Sequence, residues 1–303
     1  MSYRCAYLGP AGTFTEAALR LLDPGNQAEA VPFPTIQATL DAVRTGATQR
    51  AVVPIENSVE GAVTATLDEL ANGEALLIRA EVLLPVAFAL LGRAGTKLAD
   101  IKVVSGHPQA QAQCRQWLAA NLPDAEWRQA SSNAEAARQV AEGQIDAALA
   151  GEFAAEVYGV EVLVKDVHDR ATAVTRFVEV SLPGPPAART KEDRTSVVAF
   201  LADDHPGALM EILTQFAARG VNLTRIESRP TGERFGRYCF SIDCEGHVDD
   251  ARVGEALMGL RRVCADVRFL GSYARADGER TTLREGTSDS DFASAVSWLS
   301  SIR

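Results

Sequence analysis

The 303-residue sequence has little that would hold a metal ion or a disulfide framework. Its five cysteines stand at 5, 114, 239, 244 and 264. None forms a CxxC pair or joins histidines at zinc-finger spacing, which predicts free thiols in a reducing cytoplasm and no metal site. Aromatic residues make up only 6%, too few for a base-stacking platform. Thirty Lys+Arg against forty Asp+Glu leave a net charge of −10, so no basic field recommends a nucleic-acid partner. No run of 18 apolar residues is present, and the opening MSYRCAYLGP lacks the apolar core of a secretion signal. The chain is therefore expected to be cytoplasmic, with no membrane partner.

Hydrophobic residues make up 47% and charged residues 23%, the balance of a folded globular chain. The length suggests about two domains. Up to residue 182, short apolar runs alternate with segments of helical period: strands at 4–8, 30–33, 50–54, 101–105, 126–130, 147–150, 160–167 and 174–182, and helices at 13–22, 35–44, 62–71, 108–121, 133–142 and 152–157. A long β-prone run covers 76–91. This is an α/β pattern with a mostly parallel sheet. The restart near 101 predicts two similar lobes, with the chain crossing between them near 80 and near 170; one continuous doubly wound sheet is the alternative.

The stretch 183–193, PGPPAARTKED, reads as a linker. Beyond it the order is strand 195–201, helix 206–219 with Asp204 or His205 at its N-cap, strands 221–230 and 236–244, helix 248–261 and strand 263–273. That is βαββαβ, the ferredoxin-like order, over 194–275. The tail 276–303 begins polar and is expected to be mobile. It ends with Phe292, Val296, Leu299 and Ile302 on one face of a short helix, which would dock or fray.

Four stretches place glycine and polar residues at strand ends. In Gly9-Pro10-Ala11-Gly12-Thr13-Phe14-Thr15, a glycine turn opens a helix, which suits either an anion or a plain helix cap. In Val53-Pro54-Ile55-Glu56-Asn57-Ser58-Val59-Glu60-Gly61, a buried strand delivers Glu56, Asn57 and Ser58 at its C-terminal end, where α/β sheets meet their ligands. The alternative is a turn bonding its own backbone. In Val174-Thr175-Arg176-Phe177, a guanidinium sits between a hydroxyl and an aromatic ring, fitted to grip a carboxylate or to make an ordinary strand ion pair. Ser105-Gly106-His107-Pro108-Gln109 lies at another strand-to-helix junction.

Taken in this order, the four motifs resemble those of the prephenate dehydratase family, across residues 3–275. Pro206-Gly207-Ala208-Leu209 and Glu227-Ser228-Arg229-Pro230 resemble the two signature loops of the phenylalanine-sensing ACT domain that the family carries. The resemblance implies a catalytic unit over 1–182 built of two lobes like those of type II periplasmic binding proteins, followed by an ACT domain. It implies the monofunctional form, without a chorismate mutase segment. Two positions depart from the family pattern: the serine of Ser-His-Pro-Gln is displaced to Ser105, and Ala173-Val174 stand where an asparagine often precedes Thr-Arg-Phe.

The implied reaction is that of a carbon–oxygen lyase converting prephenate to phenylpyruvate, with loss of CO2 and water and no cofactor. On this reading Thr175 is the residue tied to catalysis, donating a hydrogen bond to the departing oxygen. Glu56 is a candidate proton source if burial raises its pKa. Arg176 holds the surviving pyruvyl carboxylate, and Ala11, Gly12, Thr13, Asn57, Ser58, Phe177 and Gln109 complete the substrate contacts. L-phenylalanine is the implied effector, bound at Pro206, Gly207, Ala208, Leu209, Asn222, Leu223, Glu227, Ser228, Arg229 and Pro230 between two ACT domains of a homodimer or homotetramer. Competing readings are an arogenate dehydratase and a non-catalytic amino-acid-binding regulatory protein.

Overall fold

A computed structural model describes residues 2–169, 173–203, 205–231 and 238–303. The first lobe runs β1 (Tyr3–Leu8), α1 (Phe14–Leu22), β2 (Ala28–Phe33), α2 (Ile36–Arg44), β3 (Arg50–Asn57), β4 (Gly61–Ala62), α3 (Thr64–Asn72) and β5 (Leu77–Pro85). The second runs β6 (Ala89–Gly92), β7 (Val103–Gly106), α4 (Pro108–Gln113), α5 (Arg115–Asn121), β8 (Glu126–Gln129), α6 (Asn133–Ala141), β9 (Ala147–Ala150), α7 (Phe153–Tyr158) and β10 (Glu161–Val164). The chain then returns to the first sheet as β11 (Val174–Ser181). The C-terminal region comprises β12 (Asp193–Phe200), α8 (Ala208–Ala217), β13 (Leu223–Pro230), β14 (Tyr238–Glu245), α9 (Ala251–Val263), β15 (Asp266–Ala274) and α10 (Asp289–Ser301).

Three sheets result, in the orders β2-β1-β3-β11-β5 with β4 on β3, β10-β6-β9-β7-β8, and β13-β14-β12-β15. Strand β1 runs parallel to β2 and β3, and β7 parallel to β8 and β9. The two lobe sheets are mixed rather than mostly parallel, because β4 runs antiparallel to β3 and β6 antiparallel to both β9 and β10, and the third sheet is antiparallel throughout. The long apolar run at 76–91 is two strands, β5 and β6, one in each lobe. The helix read over 108–121 is two, broken at Cys114, whose ψ of 13° lies outside the helical range. The crossover is tied where Val86 N donates to Ala173 O at 2.7 Å.

Each lobe has its own core. Cys5, Tyr7, Leu19, Val52 and Phe177 pack beneath α1, and Phe88, Leu90, Val104 and Leu149 fill the second lobe. The C-terminal sheet carries α8 and α9 on one face, over Ile212, Phe216, Phe240, Ile242 and Leu260. The α8 N-cap is Gly207, at φ +98°, rather than His205; Asp204 and the start of the strand read from 236 lie outside the described residues. Helix α10 has a Ser288–Asp291 capping box and buries none of its residues.

The chain forms two compact units that do not divide at the linker: 1–63 with 82–177, and 64–81 with 178–303. Helix α3 and the first half of β5 thus belong with the C-terminal sheet. Arg194 donates twice to Glu81 (2.6 and 2.7 Å), and Arg268 donates to the carbonyls of Leu70 (3.1 Å) and Gly73 (2.6 Å). Gly271, at φ +139°, lets β15 approach so closely that a Cβ there would lie 2.4 Å from Ile78 O. Only glycine tolerates that conformation and that contact.

Candidate active site

Strand β3 ends and β11 begins side by side. Ser58 N donates to Val174 O, and Val174 N donates to Ser58 Oγ, both at 2.9 Å. Asn57 Nδ2 donates to Thr175 Oγ1 at 2.7 Å, and Arg176 Nη1 lies 3.5 Å from Glu56 Oε2. Contacts 58–174, 57–175 and 56–176 step in opposite directions along the two strands, which marks them as antiparallel neighbours. The pleat therefore turns Asn57 and Thr175 to one face and Glu56 and Arg176 to the other.

The turn after β3 fixes how Asn57 is used. Its Oδ1 accepts from Val59 N (2.9 Å) and Glu60 N (3.1 Å). An amide oxygen bound by two backbone donors leaves the NH2 group to face Thr175, and an NH2 only donates. Thr175 Oγ1 is thus an acceptor in this pair, which does not use its own hydrogen.

Thr175 shares its face with Phe177, which packs with Tyr7 and Leu19 in the cluster that Phe14 borders. Phe177, which the resemblance implies as a substrate contact, is buried in this core. Phe14 stacks edge-on against Phe88 (5.6 Å) and Phe153 (5.1 Å) of the second lobe and lines a cavity of about 280 Å³. Leu8, Gly9, Gly12, Thr13 and Pro34 bound this cavity from the first lobe, and His107, Gln109, Ser132, Asn133 and Gly151 from the second. Asn57, Thr175 and Arg176 do not line it. Gln109 connects the two places, because its amide also donates to Glu60 in the turn after Asn57.

The Gly12–Thr13 turn is partly occupied by its own helix. Thr13 Oγ1 caps Glu16 N (3.4 Å) and donates to Leu8 O (3.1 Å), while Gly12 N donates to Glu16 Oε2 (2.8 Å). Ala11 O accepts from Tyr158 OH across the lobes at 2.6 Å. Gly12, at φ +77°, faces the same ring, and a Cβ there would lie 2.9 Å from Tyr158 Cε2. Burial pushes the Tyr158 phenol up, which keeps it protonated and donating.

Two side chains lie on the other face. The Glu56 side chain is 39% exposed and paired with Arg176, so the burial on which a proton-donor role depended is missing. The Arg176 side chain is 5% exposed and pairs with Glu56, on the face that the pleat turns away from Asn57 and Thr175. Asn133 was read only as a helix start, and Ser132 was not singled out. Ser132 Oγ accepts from Glu135 N (3.0 Å), and Asn133 Oδ1 accepts from His107 N (2.8 Å). The same strand-end rule that singled out Glu56–Ser58 applies to them, since they follow β8.

Comparison with known proteins identifies the family. The family model of prephenate dehydratase matches residues 5–184, and that of the ACT domain residues 196–262. A prephenate dehydratase of Mycobacterium marinum (strain ATCC BAA-535 / M) is 51% identical over 278 residues, 89% of this chain and 88% of that protein. The crystal structure of prephenate dehydratase from Arthrobacter aurescens in complex with L-Phe is 49% identical, with a TM-score of 0.94 over 99% of each chain. GqqA, described as a novel type of quorum quenching acylases, is 30% identical, with a TM-score of 0.81 over 91% of this chain and 100% of its own. A shared fold does not set the chemistry, but the family match, the level of identity and the Asn57–Thr175 pair together do place it: this chain belongs to the prephenate dehydratase family.

Proposed function

We propose that the Asn57–Thr175 pair drives the conversion of prephenate to phenylpyruvate by holding the Thr175 hydroxyl as a donor to the departing ring oxygen. The bond from the ring to its carboxylate breaks and releases neutral CO2. The electron pair aromatises the ring and expels the C4 hydroxyl, so a dianion yields the phenylpyruvate anion, CO2 and hydroxide. Charge builds on the departing oxygen, and a fixed donor aimed at it lowers the barrier. The threonine keeps its own proton, because a hydroxyl is too weak an acid to surrender it, and the expelled hydroxide becomes water by taking a proton from the buffered solvent after it has left.

The observation that carries this reading is the orientation of Asn57. With Oδ1 taken by Val59 N and Glu60 N, Nδ2 occupies the acceptor side of Thr175 Oγ1. The cavity at Gly12, Thr13, Ser132 and Asn133 would receive the pyruvyl carboxylate. The nine-residue helices α1 and α6 begin there, and their N-terminal dipoles favour an anion. Phenylpyruvate absorbance, followed with prephenate and with arogenate as substrates, tests the assignment. Turnover of prephenate that collapses in Thr175→Val supports it, and undiminished turnover in that variant refutes it.

L-phenylalanine is the proposed effector, bound by the ACT domain near Gly207 and β13. Supporting it are the ACT match over 196–262, the glycine start of the ten-residue α8, and the L-Phe bound by the Arthrobacter relative. Strand β13 lies at a sheet edge, with Ile226, Leu209 and Met210 exposed beside it. A second ACT domain would cover that edge, in a cytoplasmic homodimer or homotetramer. The division into a catalytic part over 1–182, a linker over 183–193 and an ACT domain over 194–275 belongs to the same reading.

A further inference from the structure

The ESRP motif is divided by the pleat of its strand. In β13, Ile226 and Ser228 lie opposite Ile242 and Phe240, which belong to the core under α8 and α9. Arg225, Glu227 and Arg229 lie opposite Asp243, Ser241 and Cys239, on the face away from those helices. Ser228 therefore faces the helix side, where α8 begins, and Arg229 does not. Its guanidinium instead grips Asp68 of α3 with two parallel bonds, Nε to Oδ1 at 3.0 Å and Nη2 to Oδ2 at 2.7 Å. This fork geometry fixes direction as well as distance.

Helix α3 is well placed to carry a displacement. It begins two residues after β4, whose Gly61 and Ala62 pair with Asn57 and Glu56. The segment from α3 into β5 is also held by Arg194 on Glu81 and by Arg268 on the carbonyls of Leu70 and Gly73. Those anchors come from β12 and β15. Arg229 is the tie that comes from the effector motif itself.

We propose that the Arg229–Asp68 pair is a coupling contact, which passes effector occupancy at β13 through α3 and β4 to the Asn57 amide and thence to the Thr175 hydroxyl. The proposal rests on the regulatory reading above and makes Arg229 a positioning residue rather than an effector ligand. Occupancy of the Ser228 face shifts β13, the fork carries the shift to Asp68, and the turn that orients Asn57 moves with the start of α3.

The test uses the full-length chain and its near-isosteric variant Asp68→Asn, with L-phenylalanine binding measured by calorimetry and prephenate turnover measured with and without it. The wild type is expected to bind phenylalanine and to change kcat or KM by about 5-fold or more, the lower end of typical allosteric coupling. Asp68→Asn is expected to bind phenylalanine within about 2-fold of the wild type and to keep its basal turnover, while its response falls to near unity. The exchanged pair Asp68→Arg with Arg229→Asp is expected to recover the response. A wild-type response in Asp68→Asn overturns the coupling role alone, and so does loss of phenylalanine binding in that variant. Absence of phenylalanine binding to the wild type overturns the regulatory reading and this proposal with it.

Discussion

Substituting Asn57 by aspartate changes one atom's chemistry with little change of shape. The Asp carboxylate still accepts from Val59 N and Glu60 N, so the turn keeps its bonds. The atom 2.7 Å from Thr175 Oγ1 becomes an acceptor, and the threonine must now spend its hydrogen on that carboxylate. The departing hydroxyl loses its donor. Removing one such donor elsewhere costs about 3–4 kcal/mol, or about 10²–10³ in kcat. KM should hardly move, because the lost bond matters chiefly in the transition state. Thr175→Val removes the same hydrogen directly and should cost about the same. If Asn57 acts only through Thr175, the double variant should be no worse than either single one, whereas independent contributions would multiply to about 10⁴–10⁶. Steady-state phenylpyruvate formation by the three variants decides the matter, and a multiplicative double variant would refute the argument.

Gly271→Ala should destabilise the chain by at least about 2 kcal/mol, through a strained φ and a clash with Ile78 O; thermal denaturation measures it. The five cysteines are free and buried, and burial pushes the Cys114 and Cys244 thiols up to about 12 and Cys264 up to about 11, from the usual 9. A thiol reagent at pH 8 should leave the native protein unlabelled and titrate five thiols once it is unfolded. Above pH 9 the unfolded state releases those protons while the native state retains them, so stability should fall as pH rises through the alkaline range. The hydrogen bond that His205 Nε2 donates to the Glu211 carboxylate raises the His205 pKa above 6.5. NMR titration should show it falling toward 6.5 in Glu211→Gln.

The alternation of strands and helices was legible because it depends on local period. The sequence left the cap of α1 between Thr13 and Thr15, and Thr13 takes it. The break at Cys114 was not, since the residues on either side of it favour helix and only the fold interrupts them. Glu56, Asn57, Thr175 and Arg176 were all identified from strand ends and motifs. Their roles were not separable, because the face each one takes depends on which residue of β3 lies opposite which residue of β11, a register spanning 118 positions. Assigning α3 to the C-terminal unit was equally out of reach. It depends on Arg194, Arg229 and Arg268 finding acceptors far back along the chain, and nothing local to those arginines names them.

The buried Glu81–Arg194 pair bears on modularity. The Glu81 side chain is wholly buried, and one guanidinium nitrogen of Arg194, Nη1, donates to both of its oxygens. Truncating the gene at the proline-rich junction would remove the cation together with most of the unit to which α3 and the first half of β5 belong, leaving those elements without the sheet they pack with. A shortened enzyme freed of its sensor is therefore a poor starting point for engineering deregulated aromatic synthesis. Surgical substitutions that leave this anchor in place are the sounder route.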